Sequence, residues 1–257
     1  MGLKAILRTF AVAGVLTICA VAAAQEDVDG VPSRKLQAGG DSQKTYFLIG
    51  PGKDDKQPDQ GYKLLLVLRG GDGSESFHPF VKLVYREALP GGYLAAQLVA
   101  VKWTPNQQIV WPQSENMVPN MKFSTEAFIE AVVADVGRHH KVNARHVFTL
   151  AWSSSGPAVY AASLQQKKAF TGSYVAMSVF NQKQLPPLSA ARGHAYYIEH
   201  SPDDKVCPVW MAEKAKSELG KAGAKVEFSA YEGGHGWQGD VYGRVRKAIL
   251  WLEENTK

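Results

Sequence analysis

Apolar and polar residues along this chain change period several times, and each change marks an element boundary. Tyr62-Lys63-Leu64-Leu65-Leu66-Val67-Leu68 is a nearly unbroken apolar run between Gly61 and Gly70. A run this short, closed by glycines, reads as a strand buried on both faces. Val147-Phe148-Thr149-Leu150, Leu98-Val99-Ala100-Val101, the segment 45–49 and Ala195-Tyr196-Tyr197-Ile198 read the same way, and Val226-Glu227-Phe228-Ser229-Ala230-Tyr231 alternates as a half-buried strand does. Between them the period lengthens. From Thr125 the residues Phe128, Val132 and Val136 share one helical face, with Ser124 as N-cap and Phe123 placed to staple against Phe128. Val241, Val245, Ile249 and Leu252 repeat the device near the end. Strands alternating with helices predict an α/β domain with a mostly parallel central sheet and helices on both faces.

The first 24 residues stand apart. Lys4 and Arg8 precede a mostly apolar stretch from Thr9 to Val21, which ends in Ala22-Ala23-Ala24. This is the pattern of a secretory signal peptide cleaved after Ala24, and the stretch is short for a membrane span. The chain is therefore expected to be secreted or periplasmic, without stable membrane insertion. Residues 25–43 are polar and read as a flexible lead-in, and 44–257 as one domain with no internal linker or repeat.

Processing changes the totals. The net charge is +5, of which Lys4 and Arg8 contribute two, leaving about +3 with no basic stripe. That excludes a nucleic-acid partner. Cys19 leaves with the signal, so Cys207 is the remaining cysteine, without an internal disulfide and placed to pack as a buried thiol. No metal or organic cofactor is implied. His139 and His140 are adjacent at a helix end, where positive charge suits the helix dipole, and they lack ligand spacing.

The candidate chemistry begins where Val147-Phe148-Thr149-Leu150 breaks into Ala151-Trp152-Ser153-Ser154-Ser155-Gly156-Pro157, before helix formers resume at Ala158. A strand driven into a helix through one tight serine-bearing turn has the form of a nucleophile elbow. Small residues must flank the nucleophile two positions away, because the turn is strained and crowded. Ser153 has Ala151 and Ser155 there. Ser154 would have Trp152, and Ser155 would have Pro157, so Ser153 is favoured. A hydroxyl needs a histidine to take its proton and a carboxylate to hold that histidine. His235, in Glu232-Gly233-Gly234-His235-Gly236-Trp237, follows an expected strand and is carried by glycines; His194 and His200 bracket another strand and are weaker bases. Of the two aspartates after that strand, Asp204 stands where the turn redirects the chain and is favoured over Asp203. The loop Arg69-Gly70-Gly71-Asp72-Gly73-Ser74 would supply one oxyanion N–H, from Gly71 or Asp72, and Ser154 the other. Trp103, Trp111, Trp152 and Trp237 are candidate walls of a substrate pocket.

Taken in order, Leu-Arg-Gly-Gly-Asp-Gly-Ser, Ala-Trp-Ser-Ser-Ser-Gly, His-Ser-Pro-Asp-Asp-Lys-Val-Cys-Pro and Glu-Gly-Gly-His-Gly-Trp resemble the α/β-hydrolase superfamily. The likeness spans roughly residues 44–256. It is strongest to small secreted esterases, including polyhydroxybutyrate-depolymerase-like, dienelactone-hydrolase-like and phospholipase/carboxylesterase-like proteins. That resemblance implies a serine hydrolase with Ser153 as nucleophile, Asp204 as acid and His235 as base, acting on a small-molecule or polymeric ester. Ala151 and Ser155 stand where the family usually has glycine, and Arg69 where histidine is common. A peptidase or amidase on the same scaffold, or a non-catalytic binding protein with a decayed elbow, are the alternative readings, and the oligomeric state is not encoded in any of these motifs.

Overall fold

Alternate residues of the central apolar run enter two different cores, as a strand covered on both sides requires. Leu64, Leu66 and Leu68 join one cluster, Leu65 and Val67 the other, and all five are fully buried. The computed structural model describes residue 28 and residues 30–52 and 55–256. The expected signal segment therefore lies outside the described residues.

Eight strands form one sheet: β1 (Ser33–Gln37), β2 (Thr45–Ile49), β3 (Tyr62–Leu68), β4 (Tyr93–Leu98), β5 (Val142–Trp152), β6 (Gly172–Ala176), β7 (Ala195–His200) and β8 (Lys225–Ala230). Their order is β1-β2-β4-β3-β5-β6-β7-β8. β1 and β2 pair antiparallel, as do β2 and β4, and the remaining pairings are parallel. One face is covered by α2 (Thr125–His139), α3 (Gly156–Ser163) and α4 (Val209–Lys221), which contribute Phe128, Val132, Ala158 and Ala215 to its core. α1 (His78–Leu83), which runs on into a π-helical turn (Val84–Ala88), and α5 (Val241–Asn255) cover the other with Val81, Val84, Val245 and Ile249. The Ser124 hydroxyl accepts the Ala127 N–H as an N-cap does, and the Phe123 and Phe128 rings meet at 5.8 Å. Among the described residues no helix is long and apolar enough to cross a membrane.

Two expectations are corrected. The strand placed at 98–101 runs from Tyr93 to Leu98, because hydrogen bonding follows its partner: Leu98 lies opposite Leu68, where β3 ends. The lead-in expected over 25–43 is structured from Ser33 onward. β1 is a polar edge strand in register with β2, and the turn after it buries Ala38 and donates the Gly39 N–H to Asp135.

The parallel order places the carboxyl ends of β3, β5, β6, β7 and β8 along one rim. Side chains in the loops leaving that rim can meet, the general location of ligand sites in open α/β sheets.

Candidate active site

β5 is buried from Val147 to Trp152 and ends in a short 3-10 turn, Ser153–Ser155, that feeds α3. Ser153 sits in the left-handed region, φ 54°, which costs an L-residue with a Cβ about 1–2 kcal/mol. The surrounding contacts hold it there. The Ser153 carbonyl accepts the Ser178 hydroxyl at 2.6 Å, and the Ser154 hydroxyl donates to the Gly71 carbonyl at 2.8 Å.

Ser155 is fully buried, and its hydroxyl replaces the freedom of a glycine with bonds. It accepts the Trp152 N–H at 3.0 Å and donates to the Leu68 carbonyl at 2.6 Å, joining the elbow to the end of β3. The close approach a glycine would permit occurs one residue later. A Cβ on Gly156 would collide with the Ser178 side chain. We expect Ser155→Ala to destabilise the fold by about 1–3 kcal/mol in urea unfolding, because a buried N–H and carbonyl lose their partner.

Asp204 follows β7. Its side chain is fully buried, whereas Asp203 beside it is exposed. One Asp204 oxygen accepts the N–H groups of Val206 and Cys207, both at 2.8 Å, and the other accepts from His235 Nδ1 at 2.8 Å. Burial pushes this carboxyl's pKa up, but the Cys207 N–H, the His235 ring and the Val206 N–H together outweigh it and hold the pKa below the usual carboxylate value. A carboxylate only accepts, so the neutral His235 ring carries its proton on Nδ1. Its Nε2 then faces the Ser153 hydroxyl, at 3.0 Å.

His235 rides a loop with glycines at φ 118°, 75°, 141° and 64° (Gly233, Gly234, Gly236 and Gly239). Such a loop has little stiffness of its own, and neighbours fix it. Gly234 donates its N–H to the Ser201 hydroxyl at 3.0 Å, and its carbonyl accepts from Tyr231 at 2.8 Å. The Arg244 guanidinium lies 4.7 Å from the Tyr231 ring centre and donates to the Gln238 carbonyl at 2.5 Å and to the buried Glu199 carboxylate at 3.1 Å. One cation thus ties the His235 loop to the end of β7. Arg244→Leu is expected to lower kcat about 100-fold with KM changed by less than about threefold, the penalty of a base misplaced by an ångström.

The glycine-rich loop after β3 packs directly on the elbow. A Cβ on Gly70 would stand 2.5 Å from the Trp152 carbonyl oxygen and 3.0 Å from the Ser153 Cβ, so any side chain there displaces the loop. Gly70→Ala should cost at least about 100-fold in kcat, read in steady-state kinetics. Gly71 lines the cavity beside Ser153, and Ser154 lies in the first turn of a helix, where N–H groups have no intrahelical partner. Asp72 does not line the cavity. Its side chain is 71% exposed, accepts the Ser74 N–H and pairs with Arg69.

A cavity of about 640 Å³ opens in front of Ser153 and His235. Trp152 and Trp237 line it as expected, but Trp103 and Trp111 do not. Trp103 packs edge-on against Phe123 at 4.9 Å, just ahead of α2 and outside the site. Trp111 is buried beneath the glycine-rich loop and braces it by donating its indole N–H to the Arg69 carbonyl at 2.8 Å. Sequence reasoning missed Phe77, Phe80, Met177 and Tyr242, which share the wall. The nearness of Phe77 and Phe80 to the glycine-rich loop was the available signal.

Of the competing groups, His194 is buried against Ser173, at 3.0 Å, and burial holds its pKa well below the usual imidazole value, so it is neutral. His200 is fully buried and donates Nε2–H to the Cys207 carbonyl at 2.7 Å, which leaves that nitrogen no lone pair to act as a base. Burial raises the Cys207 thiol to about 11, so it is not a thiolate. Donor atoms of Asp204, Cys207 and His235 lie within 4.8 Å of one another, but a metal ion there would have to break the Asp204–His235 hydrogen bond.

No protein-family model and no curated protein sequence matches the chain. Solved structures do. A bacterial heroin esterase superposes with TM-score 0.65 at 16% identity, over 91% of this chain and 87% of that one. An α/β-hydrolase enzyme from a Medee basin deep-sea metagenome library gives 0.63 at 15% identity, over 89% and 99%. A Bacillus cereus carboxylesterase gives 0.56 at 14%, over 88% and 94%.

Proposed function

We infer that this chain, which has the α/β-hydrolase fold, is a serine hydrolase that cleaves carboxylic esters through an acyl-enzyme. The observation that carries the reading is the chain of contacts from Ser153 Oγ through His235 to Asp204, 3.0 and 2.8 Å, at the mouth of an apolar cavity and on a strained elbow. The esterase names of the structural neighbours agree with it.

In this mechanism His235 Nε2 takes the Ser153 proton as the oxygen attacks the ester carbonyl. The Asp204 carboxylate stabilises the imidazolium that results. Negative charge gathers on the former carbonyl oxygen, held by the N–H groups of Gly71 and Ser154, each worth about 3 kcal/mol to the transition state. The imidazolium then gives its proton to the leaving alcohol. Water, deprotonated by the same nitrogen, releases the acid and restores the serine. Ala151 and Ser155 do not stand against activity: Ala151 is an ordinary buried strand residue, and Ser155 reinforces the turn. The segment 1–24 would carry the enzyme out of the cytoplasm, to meet small or polymeric esters there.

Turnover of p-nitrophenyl acetate against acetyl p-nitroanilide tests the bond type. Ester hydrolysis with no anilide cleavage is expected. Anilide cleavage at a comparable rate would make the protein an amidase instead.

A further inference from the structure

We propose that the ester handled at Ser153 carries an aromatic ring within a few bonds of its scissile carbonyl, seated among Phe77, Phe80, Trp152, Trp237 and Tyr242; this rests on the serine-hydrolase reading above. These rings line the same cavity as Ser153 and His235. They come from separate segments: the turn before α1 and α1 itself, the elbow, the base loop and the start of α5. Phe80 is their hub. Its ring centre lies 5.7 Å from Phe77, 6.0 Å from Trp152, 5.6 Å from Trp237 and 6.3 Å from Tyr242. Trp152 also meets Trp237 at 5.5 Å, with the ring planes at 73°.

Such separations are those at which edge-to-face and offset rings attract beyond what their buried area gives. An inserted aryl ring extends the cluster with contacts of the same kind. An alkyl chain gains area alone and must also give up several rotatable bonds. Phe77, Phe80, Trp237 and Tyr242 remain half-buried, so the cluster presents apolar aromatic surface that a bound ring would cover.

Charge on the wall narrows the class further. Arg69 is the one permanent cation among the described lining residues, and it is already engaged. It pairs with Asp72, donates to the Ser74 hydroxyl at 2.6 Å and stacks 4.4 Å from the Phe77 ring centre. The Asp240 carboxylate, on the same wall, caps α5 through the Gly243 N–H at 2.9 Å. Among the described lining residues no cation is without a carboxylate partner, although the Arg69 Nε–H itself is unbonded, and the ring is expected to be uncharged.

The ring can sit on the acyl or the alcohol side, and kinetics with four esters separates the two. Methyl cinnamate is compared with methyl octanoate, and cinnamyl acetate with octyl acetate. One aryl ester should exceed its alkyl partner in kcat/KM by at least about tenfold. Phe80→Leu and Trp237→Leu should each bring that ratio close to one. Equal values within both pairs would overturn the proposal and leave the hydrolase reading intact. If no ester is turned over, the hydrolase reading is what fails, and binding to Ser153→Ala is read from quenching of tryptophan fluorescence. Saturable binding of an aryl ester, with its alkyl partner at least about tenfold weaker, sustains the aromatic site. Binding no stronger than that of the alkyl partner overturns it.

Discussion

Ser153→Gly is expected to abolish ester hydrolysis, by at least about 10⁴-fold in kcat, and at the same time to raise the melting temperature. The two effects share one cause. Ser153 Oγ is the proposed nucleophile, 3.0 Å from its base, so removing it removes the covalent step. The residue also occupies φ 54°, where a Cβ is penalised and glycine is not. Relief of about 1 kcal/mol would raise the midpoint by roughly 2–4 °C in a domain of this size. Ser153→Ala provides the control, since it loses the hydroxyl but keeps the Cβ. Differential scanning fluorimetry should place Ser153→Gly above Ser153→Ala by a few degrees while both are inactive. Equal midpoints would mean that the strain released at the elbow is no larger than the chain entropy that glycine adds to the unfolded state, about 0.4–1 kcal/mol.

Asp204→Asn should cost about 10⁴-fold in kcat with the fold retained at neutral pH. An amide can still bond to the imidazole, but it can do so by donating to Nδ1, which puts the ring proton on Nε2, facing Ser153, where no base remains. The same substitution has a pH signature in stability. The folded-state pKa of Asp204 is lowered because Cys207, His235 and Val206 favour its charged form over the cost of burial. A carboxylate depressed in this way contributes stability that is fully present above its unfolded value, about 3.9, and is lost as pH falls through the lower folded value. The gap in urea-unfolding free energy between wild type and Asp204→Asn should therefore be widest near neutrality and narrow below about pH 4. A gap that does not change with pH would mean that Asp204 is not charged in the native protein.

Much of this arrangement was readable in the amino-acid order, and the residues that were not have a common physical character. β3 coincides with its apolar run because both of its faces are buried from Leu64 to Leu68, and β2 coincides with Thr45–Ile49 although Thr45 and Phe47 on one face are only half-buried. In Tyr93-Leu94-Ala95-Ala96-Gln97-Leu98-Val99-Ala100-Val101 the apolar pattern outlasts the hydrogen bonding, so the strand end could not be placed from pattern alone. β6, Gly172-Ser173-Tyr174-Val175-Ala176, carries no long apolar run. Its small residues are required because Leu252 and Phe148 press on Gly172. β1 is an edge strand with one partner and with Arg34, Lys35 and Gln37 exposed, so its composition is that of a loop.

The proposed triad was legible because chemistry restricts each member to a few residue types at a few strand ends. The pocket was not. Tyr242 lies far along the chain from Phe77 and Phe80, and although those two follow the glycine-rich loop closely, only the fold brings all three rings together before Ser153. Nor does the sequence distinguish Trp152 and Trp237, which reach the cavity, from Trp103, which packs on Phe123, and Trp111, which braces the glycine-rich loop from beneath. Arg244 was invisible for the same reason: its partners Glu199, Tyr231 and Gln238 come from a strand end and a loop that precede its helix.

Intact-mass spectrometry after exposure of the folded protein to diisopropyl fluorophosphate tests the central claim most directly. One phosphoryl adduct, mapped to Ser153 and absent from Ser153→Gly, is the predicted result. No adduct on folded wild type, or an adduct on Ser154 or Ser155, would contradict it.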